Sequence, residues 1–184
     1  MITKGFPLFF AAIMTLLQFG GERAFTALSY QRVDILQGEW WRLISCHFIH
    51  MGWPHLVMNL LGLLFVWLIA GKFLTIKEIL TTFFLSVLFI SLGLWVLKPD
   101  IVWYIGSSGV LHGFWAAAAI VGMRKRYWES YAFFILLVAK LFWEQALGPL
   151  PSSVAVSGVE IVVAAHLYGA LGGFLQALFF QYRG

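Results

Sequence analysis

Apolar residues dominate the chain in long runs broken by short polar separators. Six such runs can be marked, at 6–20, 54–70, 79–97, 108–123, 131–148 and 159–180. A helix that crosses the hydrocarbon core needs about 20 apolar residues, with a range of about 17–25. The pattern therefore predicts helices that span a bilayer, the first and fourth being short for that task. The separators "GKFLTIKE", "KPD", "RKRYWES" and "PLPSS" are brief and polar. The connection from Gly21 to Trp53 is different. It is too polar to span and too aromatic to be a plain linker. Its stretch "GEWWRLISCHFIHMGW" suits the membrane interface, where Trp and basic side chains settle. The expected fold class is an all-α polytopic membrane protein with six transmembrane helices and a long, interface-embedded first loop. Residues 1–184 are read as a single domain.

Composition agrees with that class. Of 184 residues 61% are hydrophobic and 11% charged, where a soluble domain carries about 25% charged residues. The net charge of +4 is modest, and the basic residues cluster in short loops. That distribution suits topology rather than nucleic-acid binding, so no nucleic-acid partner is expected. With six spans, one side holds Lys4, Lys72, Lys77, Arg124, Lys125, Arg126 and Arg183. The other side holds Arg23, Arg32, Arg42 and Lys98, with Glu22, Asp34, Glu39 and Asp100 among them. The bias puts both termini in the cytoplasm. Lys4 and the run after it also have the look of a secretory signal. The single Cys46 cannot form an intrachain disulfide and reads as a structural thiol.

Polar residues inside spans are costly and are functional candidates by default. Counted from the cytoplasmic charges, Ser108 lies 16 residues before Arg124 and His166 lies 17 before Arg183. His55 lies 17 before Lys72 and Asn59 lies 13 before it. At about 1.5 Å per residue these four sit roughly 20–26 Å from the cytoplasmic end. They thus share one layer on three helices. Each also shares a helical face with small residues, such as Gly169 and Gly173 beside His166. Small residues let membrane helices approach closely. The inference is a Ser108–His166 pair with His55 and Asn59 facing it. Histidine is the usual base for a serine nucleophile. Gly106 and Gly109 allow a tight turn, and the helix N-terminus behind Ser108 offers N–H groups to an oxyanion. Spacing reveals no acidic third member, so a dyad is expected.

The same residues resemble the rhomboid intramembrane serine proteases over nearly the whole chain. "GEWWRLISCHFIH", "HLVMN", "GSSG" and "AHLYGALGG" stand in that family's order. The resemblance implies that Ser108 is the nucleophile, His166 the base, and His55 and Asn59 oxyanion stabilisers. It also implies an uncleaved first span and a site facing away from the cytoplasm, in a bacterial inner membrane toward the periplasm. "GSSGVLHG", with His112 one turn after the serine, resembles the rhombosortase branch. That branch is implicated in processing exported proteins that end in Gly-Gly, an apolar helix and a basic tail, with transfer to a lipid-derived amine. The implied partners are membrane-anchored protein substrates, the bilayer and an amine-bearing lipid acceptor. The alternatives are a general rhomboid protease and a non-catalytic rhomboid-like adaptor.

His112 can stack on His166, take part in proton transfer, or merely pack. Ser107 reads as a turn residue. His47, His50 and Arg42 read as supports of the first loop. A zinc site on His47, His50 and His55 is disfavoured, since no HExxH and no cysteine partner accompany them; no metal or cofactor is expected. Lys140 and Glu144, four apart in the fifth run, read as an intramembrane ion pair. The sharper alternative is that Glu144 faces the site and recognises a cationic group such as an attacking amine. A transporter would explain the intramembrane charges but not the GxSG turn.

Overall fold

The computed structural model describes residues 2–158 and 161–179. Arg183, which entered the charge count, lies outside the described residues, as do residues 159, 160 and 180 of the sixth apolar run. Among the described residues the chain runs α1 (Ile2–Gln18), α2 (Gly21–Leu28), β1 (Tyr30–Gln31), α3 (Arg32–Leu36), α4 (Arg42–Ser45), α5 (Gly52–Phe73) and α6 (Ile76–Leu92). It continues with β2 (Trp103–Tyr104), α7 (Ser108–Arg124), α8 (Trp128–Leu147), α9 (Pro151–Ser157) and α10 (Val163–Phe179). A π-helical turn, Gly93–Leu97, extends α6.

Three of these helices are long and apolar enough to cross a membrane: α5, α6 with its π turn, and α8. α1 and α2 make a fourth only if taken as one span bent by 111°. α10 is apolar but shorter, with 17 residues. The protein is thus mostly helical, with the build of a polytopic membrane protein. Local chemistry moves some boundaries away from the apolar runs. α6 begins ahead of its run because Thr75 and Glu78 form a capping box. The Glu78 N–H donates to Thr75 Oγ1 at 3.3 Å, and the Thr75 N–H donates to Glu78 Oε2 at 2.7 Å.

α7 is the central element. Every residue from Gly109 to Gly122 is buried, the signature of a helix surrounded on all sides. It packs against α10, α5, α8 and α6. Against α10 the contact is backbone on backbone. A Cβ placed on Gly169 would run into the Gly109 carbonyl, and one on Gly173 into the Gly113 carbonyl. One on Gly113 would strike Ser86 Oγ of α6, which donates to the Gly169 carbonyl at 3.1 Å. Glycines spaced by four on both helices thus mesh, as small-residue packing predicts. Against α8 and α5 the filling is aromatic instead. Trp115, Phe133 and Phe65 have ring centroids 4.9–5.2 Å apart, and the Trp115 indole donates to the Phe133 carbonyl at 2.8 Å.

The segment between α1 and α5 is folded. Gly21, at φ +52°, makes the sharp bend into α2. The Arg42 guanidinium is buried and gathers the segment around itself, donating to the carbonyls of Thr26 (2.8 Å) and Ser29 (2.9 Å). It pairs with Glu39 at 2.6 Å and Asp34 at 3.1 Å, so the buried charge is fully compensated. Arg32 donates to the Trp95 carbonyl at 2.8 Å and lies 4.4 Å over the Trp95 ring, tying the segment to the end of α6. β1 pairs antiparallel with β2, Tyr30 facing Tyr104. The Gly106 N–H then donates to the Cys46 carbonyl at 2.9 Å. The folded segment therefore holds the turn that immediately precedes Ser108.

Candidate active site

Ser108 is the first residue of α7, and the turn that presents it is built by glycine. Gly106 sits at φ +108°, which a side chain rarely adopts. A Cβ there would come within 3.2 Å of the His55 ring, closing the space in front of it. Tyr104 donates from its hydroxyl to the Gly106 carbonyl at 3.0 Å and fixes the turn from below. Ser107 is fully buried, and its hydroxyl donates to Asn59 Oδ1 at 3.1 Å, with His50 Nε2 at 3.4 Å. It is a strut of the turn. Ser108 is half-buried and lines a cavity of about 640 Å³.

His166, on the first turn of α10, is brought to Ser108 by the glycine mesh described above. Its Nε2 lies 2.9 Å from Ser108 Oγ. Its Nδ1 lies 2.8 Å from Glu144 Oε2. A carboxylate only accepts, so Nδ1 carries the proton and Nε2 presents its lone pair to the serine hydroxyl. This is the tautomer a general base requires. The sequence offered His166 no acidic partner, whereas the structure supplies one. Glu144 stands on the last turn of α8, and no motif links it to His166 because helix packing alone joins them.

Glu144 is almost completely buried, at 2% exposure. One oxygen meets His166 and the other pairs with Lys140 Nζ, one turn earlier on α8. The expectation that Glu144 contacts a substrate or acceptor cation therefore meets a carboxylate already engaged at both oxygens. The Lys140 ammonium, with its side chain 24% exposed, borders the cavity and has further N–H donors to offer.

His112 lies one turn after Ser108. Its ring stacks on His166 with centroids 4.2 Å apart and planes 12° from parallel. Its Nδ1 is 2.7 Å from the Ser108 carbonyl, so Nδ1 bears the proton and donates. Its buried Nε2 has no partner among the described residues. Among the described residues His112 makes no contact with the Ser108 hydroxyl; what it touches is the face of the His166 ring. His112, Glu144 and His166 each bring a potential ligand atom within 4.8 Å of one another. Parallel stacked imidazoles direct their in-plane lone pairs side by side rather than to a common point, and Lys140 and His166 already hold the carboxylate. The donor set fits a hydrogen-bonded relay better than a metal.

His55 and Asn59 occupy the first turns of α5 and border the same cavity. The Met51 N–H donates to His55 Nδ1 at 3.4 Å, which leaves the proton on Nε2, the atom against Gly106. Asn59 donates to the His55 carbonyl at 3.0 Å and accepts from Ser107, so its amide is oriented with one further N–H in hand. The first N–H groups of α7, that of Ser108 included, precede the helical ladder, in which Leu111 N–H is bonded to the Ser107 carbonyl at 2.9 Å. Together these donors can receive negative charge beside Ser108. Gly109 closes the set. A Cβ on it would come within 2.8 Å of the Ala165 carbonyl, so glycine permits the approach of His166 to Ser108.

The remaining loop residues support this site from outside. Arg42 works within the folded segment, as described above. The His47 ring packs edge-on to Tyr104 with centroids 5.7 Å apart, and His50 stands edge-on to His55 at 5.0 Å. Burial holds both uncharged, pushing His47 down to about 4 and His50 down to about 3. Burial also raises the Cys46 thiol, free and buried, which keeps it protonated. Tyr104 and the bracing role of Ser107 were not singled out by the sequence. The only available signal was position, Tyr104 standing two residues before Gly106.

A sequence model of the Rhomboid domain matches residues 37–183. The chain is 26% identical over 149 residues to "Putative rhomboid protease YdcA" of Bacillus subtilis (strain 168), covering 78% of this chain and 68% of that protein. It is 27% identical over 147 residues to "Rhomboid-like protein 11, chloroplastic" of Arabidopsis thaliana, covering 73% of this chain and 50% of that protein. The match to the family model takes in α5 through α10 and every residue that lines the Ser108–His166 contact, and the chain belongs to the rhomboid family.

Proposed function

We propose that this protein is an intramembrane serine protease in which Ser108 is the nucleophile and His166 the general base. The observation that carries the reading is the 2.9 Å contact between Ser108 Oγ and His166 Nε2, at the wall of a cavity and with the tautomer fixed from behind. Ser108 Oγ attacks the scissile carbonyl carbon while its proton passes to His166 Nε2. The electron pair displaced onto the carbonyl oxygen is received by His55 Nε2–H, the Asn59 amide and the first N–H groups of α7. As the C–N bond breaks, His166 returns the proton to the leaving amine. The acyl group on Ser108 then passes to water or to an amine, whose proton goes to His166 Nε2 and on to Ser108 Oγ as the ester bond breaks. Neither step calls for a metal or a cofactor.

In this reading α1, α5, α6, α7, α8 and α10 are the six spans, and the segment between α1 and α5 lies in the interface. Its exposed Trp40 and Trp41 favour that depth. The Lys and Arg bias supports cytoplasmic termini and a site facing the periplasm of a bacterial inner membrane. The cavity wall mixes Phe65, Val66 and Leu111 with Lys98 and Asp100. Such a lining suits a transmembrane segment locally unwound near its polar end, as glycine would allow. The finer assignment is a rhombosortase that processes the Gly-Gly and transmembrane tail of exported proteins. It is favoured by His112 standing in a stack with the base rather than an aromatic residue there. Transfer to a lipid-derived amine is the matching second half-reaction.

The test is mass spectrometry of a Gly-Gly-tailed membrane protein co-expressed with wild-type enzyme or with Ser108→Ala. The expected result is a shortened product with the wild type only. A free carboxylate at its end marks hydrolysis, and an added lipid-derived group marks transfer. Equal processing by Ser108→Ala would overturn the mechanism. An unprocessed Gly-Gly tail, with another transmembrane substrate still cut, would return the protein to the general rhomboid proteases.

A further inference from the structure

A carboxylate buried in a membrane helix is expensive unless its lone pairs are used. The Glu144 side chain spends both oxygens on two named partners, His166 Nδ1 at 2.8 Å and Lys140 Nζ. An ion pair with Lys140 alone would reduce the cost, with the carboxylate free to turn toward the cavity. We infer that Glu144 is a positioning residue completing a Ser108–His166–Glu144 relay, and that Lys140 fixes how the Glu144 side chain is turned toward His166. The inference rests on Ser108 and His166 being nucleophile and base.

Three observations define what each group does. First, Glu144 Oε2 keeps the proton on His166 Nδ1 and so leaves Nε2 as acceptor for the Ser108 hydroxyl. During attack the proton moves from Ser108 Oγ to His166 Nε2, and Glu144 neither gains nor loses one. Second, His112 covers one face of the His166 ring, so the imidazole is held in plane by the stack and in rotation by Glu144. Third, the ammonium of Lys140 offsets the charge of the carboxylate. Glu144 therefore contributes orientation and tautomer more than bare attraction for the imidazolium.

Lys140 gives the inference its sharpest consequence. An ammonium has only donors. In Glu144→Gln it demands the amide oxygen, which turns the amide NH2 toward His166 Nδ1. That forces the proton of His166 onto Nε2, where it cannot accept from Ser108. Glu144→Gln is thus a locked wrong tautomer, not a mild loss of charge. Replacing Lys140 with Met in the same variant frees the amide to turn its oxygen to Nδ1.

The experiment uses the full-length protein in detergent and a fluorophosphonate as probe, with the second-order rate of Ser108 labelling read by mass spectrometry. 15N NMR of histidine-labelled protein reports the His166 tautomer. The wild type is expected to hold its proton on Nδ1. Glu144→Gln is expected to fall about 10²–10⁴-fold in labelling rate, by analogy with the tautomer fault in serine protease triads, with the proton moved to Nε2. Lys140→Met/Glu144→Gln is expected to regain at least about tenfold over Glu144→Gln. A resting wild type with its proton on Nε2 overturns the inference without any variant. So does a Glu144→Gln variant that labels at the wild-type rate while Ser108→Ala does not label. A double variant no faster than Glu144→Gln removes the part assigned to Lys140. Absence of Ser108 labelling in the wild type strikes instead at the serine-protease reading beneath.

Discussion

The two flanks of α7 are built on opposite principles. Toward α10 it has no side chains to spare. Gly109 and Gly113 meet Gly169 and Gly173 with carbonyls where a Cβ would sit. Toward α8 it presents Trp115, which fills space with Phe133 and Phe65. The first flank fixes the distance between Ser108 and His166 through backbone, which has few ways to relax. The second fixes α8 through side chains, and α8 leaves Ile135 and Phe142 65% and 76% exposed. Ser108 and His166 therefore hang on a rigid seam, while Glu144 is carried by a helix with a narrower grip.

This contrast predicts unequal responses to mutation. Gly169→Val should push α10 from α7 and remove both folding and activity. Overpacking typically costs about 1–3 kcal/mol, and a contact against backbone carbonyls belongs at or above the top of that range. Phe133→Ala on the other flank leaves the seam intact. It should lower the thermal midpoint yet keep Ser108 labelling within about tenfold of wild type. Thermal unfolding in detergent, paired with fluorophosphonate labelling, measures both. If Gly169→Val folds and labels normally, the rigid seam is not what sets the site.

Smaller effects follow from the donors around Ser108. His55→Ala and Asn59→Ala should each lower turnover of a transmembrane substrate by about 10²–10³ if they receive the oxyanion. Because Asn59 also accepts from Ser107, Asn59→Asp is the control: it keeps the acceptor for the strut but loses the amide donor. Equal turnover by wild type and Asn59→Asp would assign Asn59 to bracing alone.

The smallest effect concerns pH. His47 and His50 are pushed down to about 4 and about 3 by burial, against about 6.5 when unfolded. The unfolded chain thus binds protons first as pH falls. Stability should be level above about pH 6.5, decline between about pH 6.5 and 3, and flatten below. The thermal midpoint in detergent at pH 4.5 should lie below that at pH 7. An unchanged midpoint would mean that these rings are hydrated in the folded protein.

Much of the site was legible in the sequence because depth and face can be counted along a helix. Ser108, His166, His55 and Asn59 each sit a countable number of residues from a basic residue, so a shared layer could be expected without coordinates. Gly169 and Gly173 advertised a close approach by spacing alone. What could not be counted was rotation and pairing between helices. Glu144 lies 22 residues from His166, and only the packing of α8 and α10 shows which of its neighbours it serves. The pairing of β1 with β2 was hidden for a similar reason. Two residues of strand carry no periodicity, and Tyr104 lies 74 residues from its partner Tyr30.

The central claim is that Ser108, and not its neighbour, is the activated hydroxyl. Both serines lie in one turn, but Ser107 is fully buried with its hydroxyl donated to Asn59, whereas Ser108 faces the cavity with its hydroxyl on His166. Peptide mapping after fluorophosphonate treatment of the purified protein separates them directly. The account predicts a single adduct on Ser108 that disappears in His166→Ala. An adduct on Ser107, or one on Ser108 that persists at full rate without His166, would contradict it.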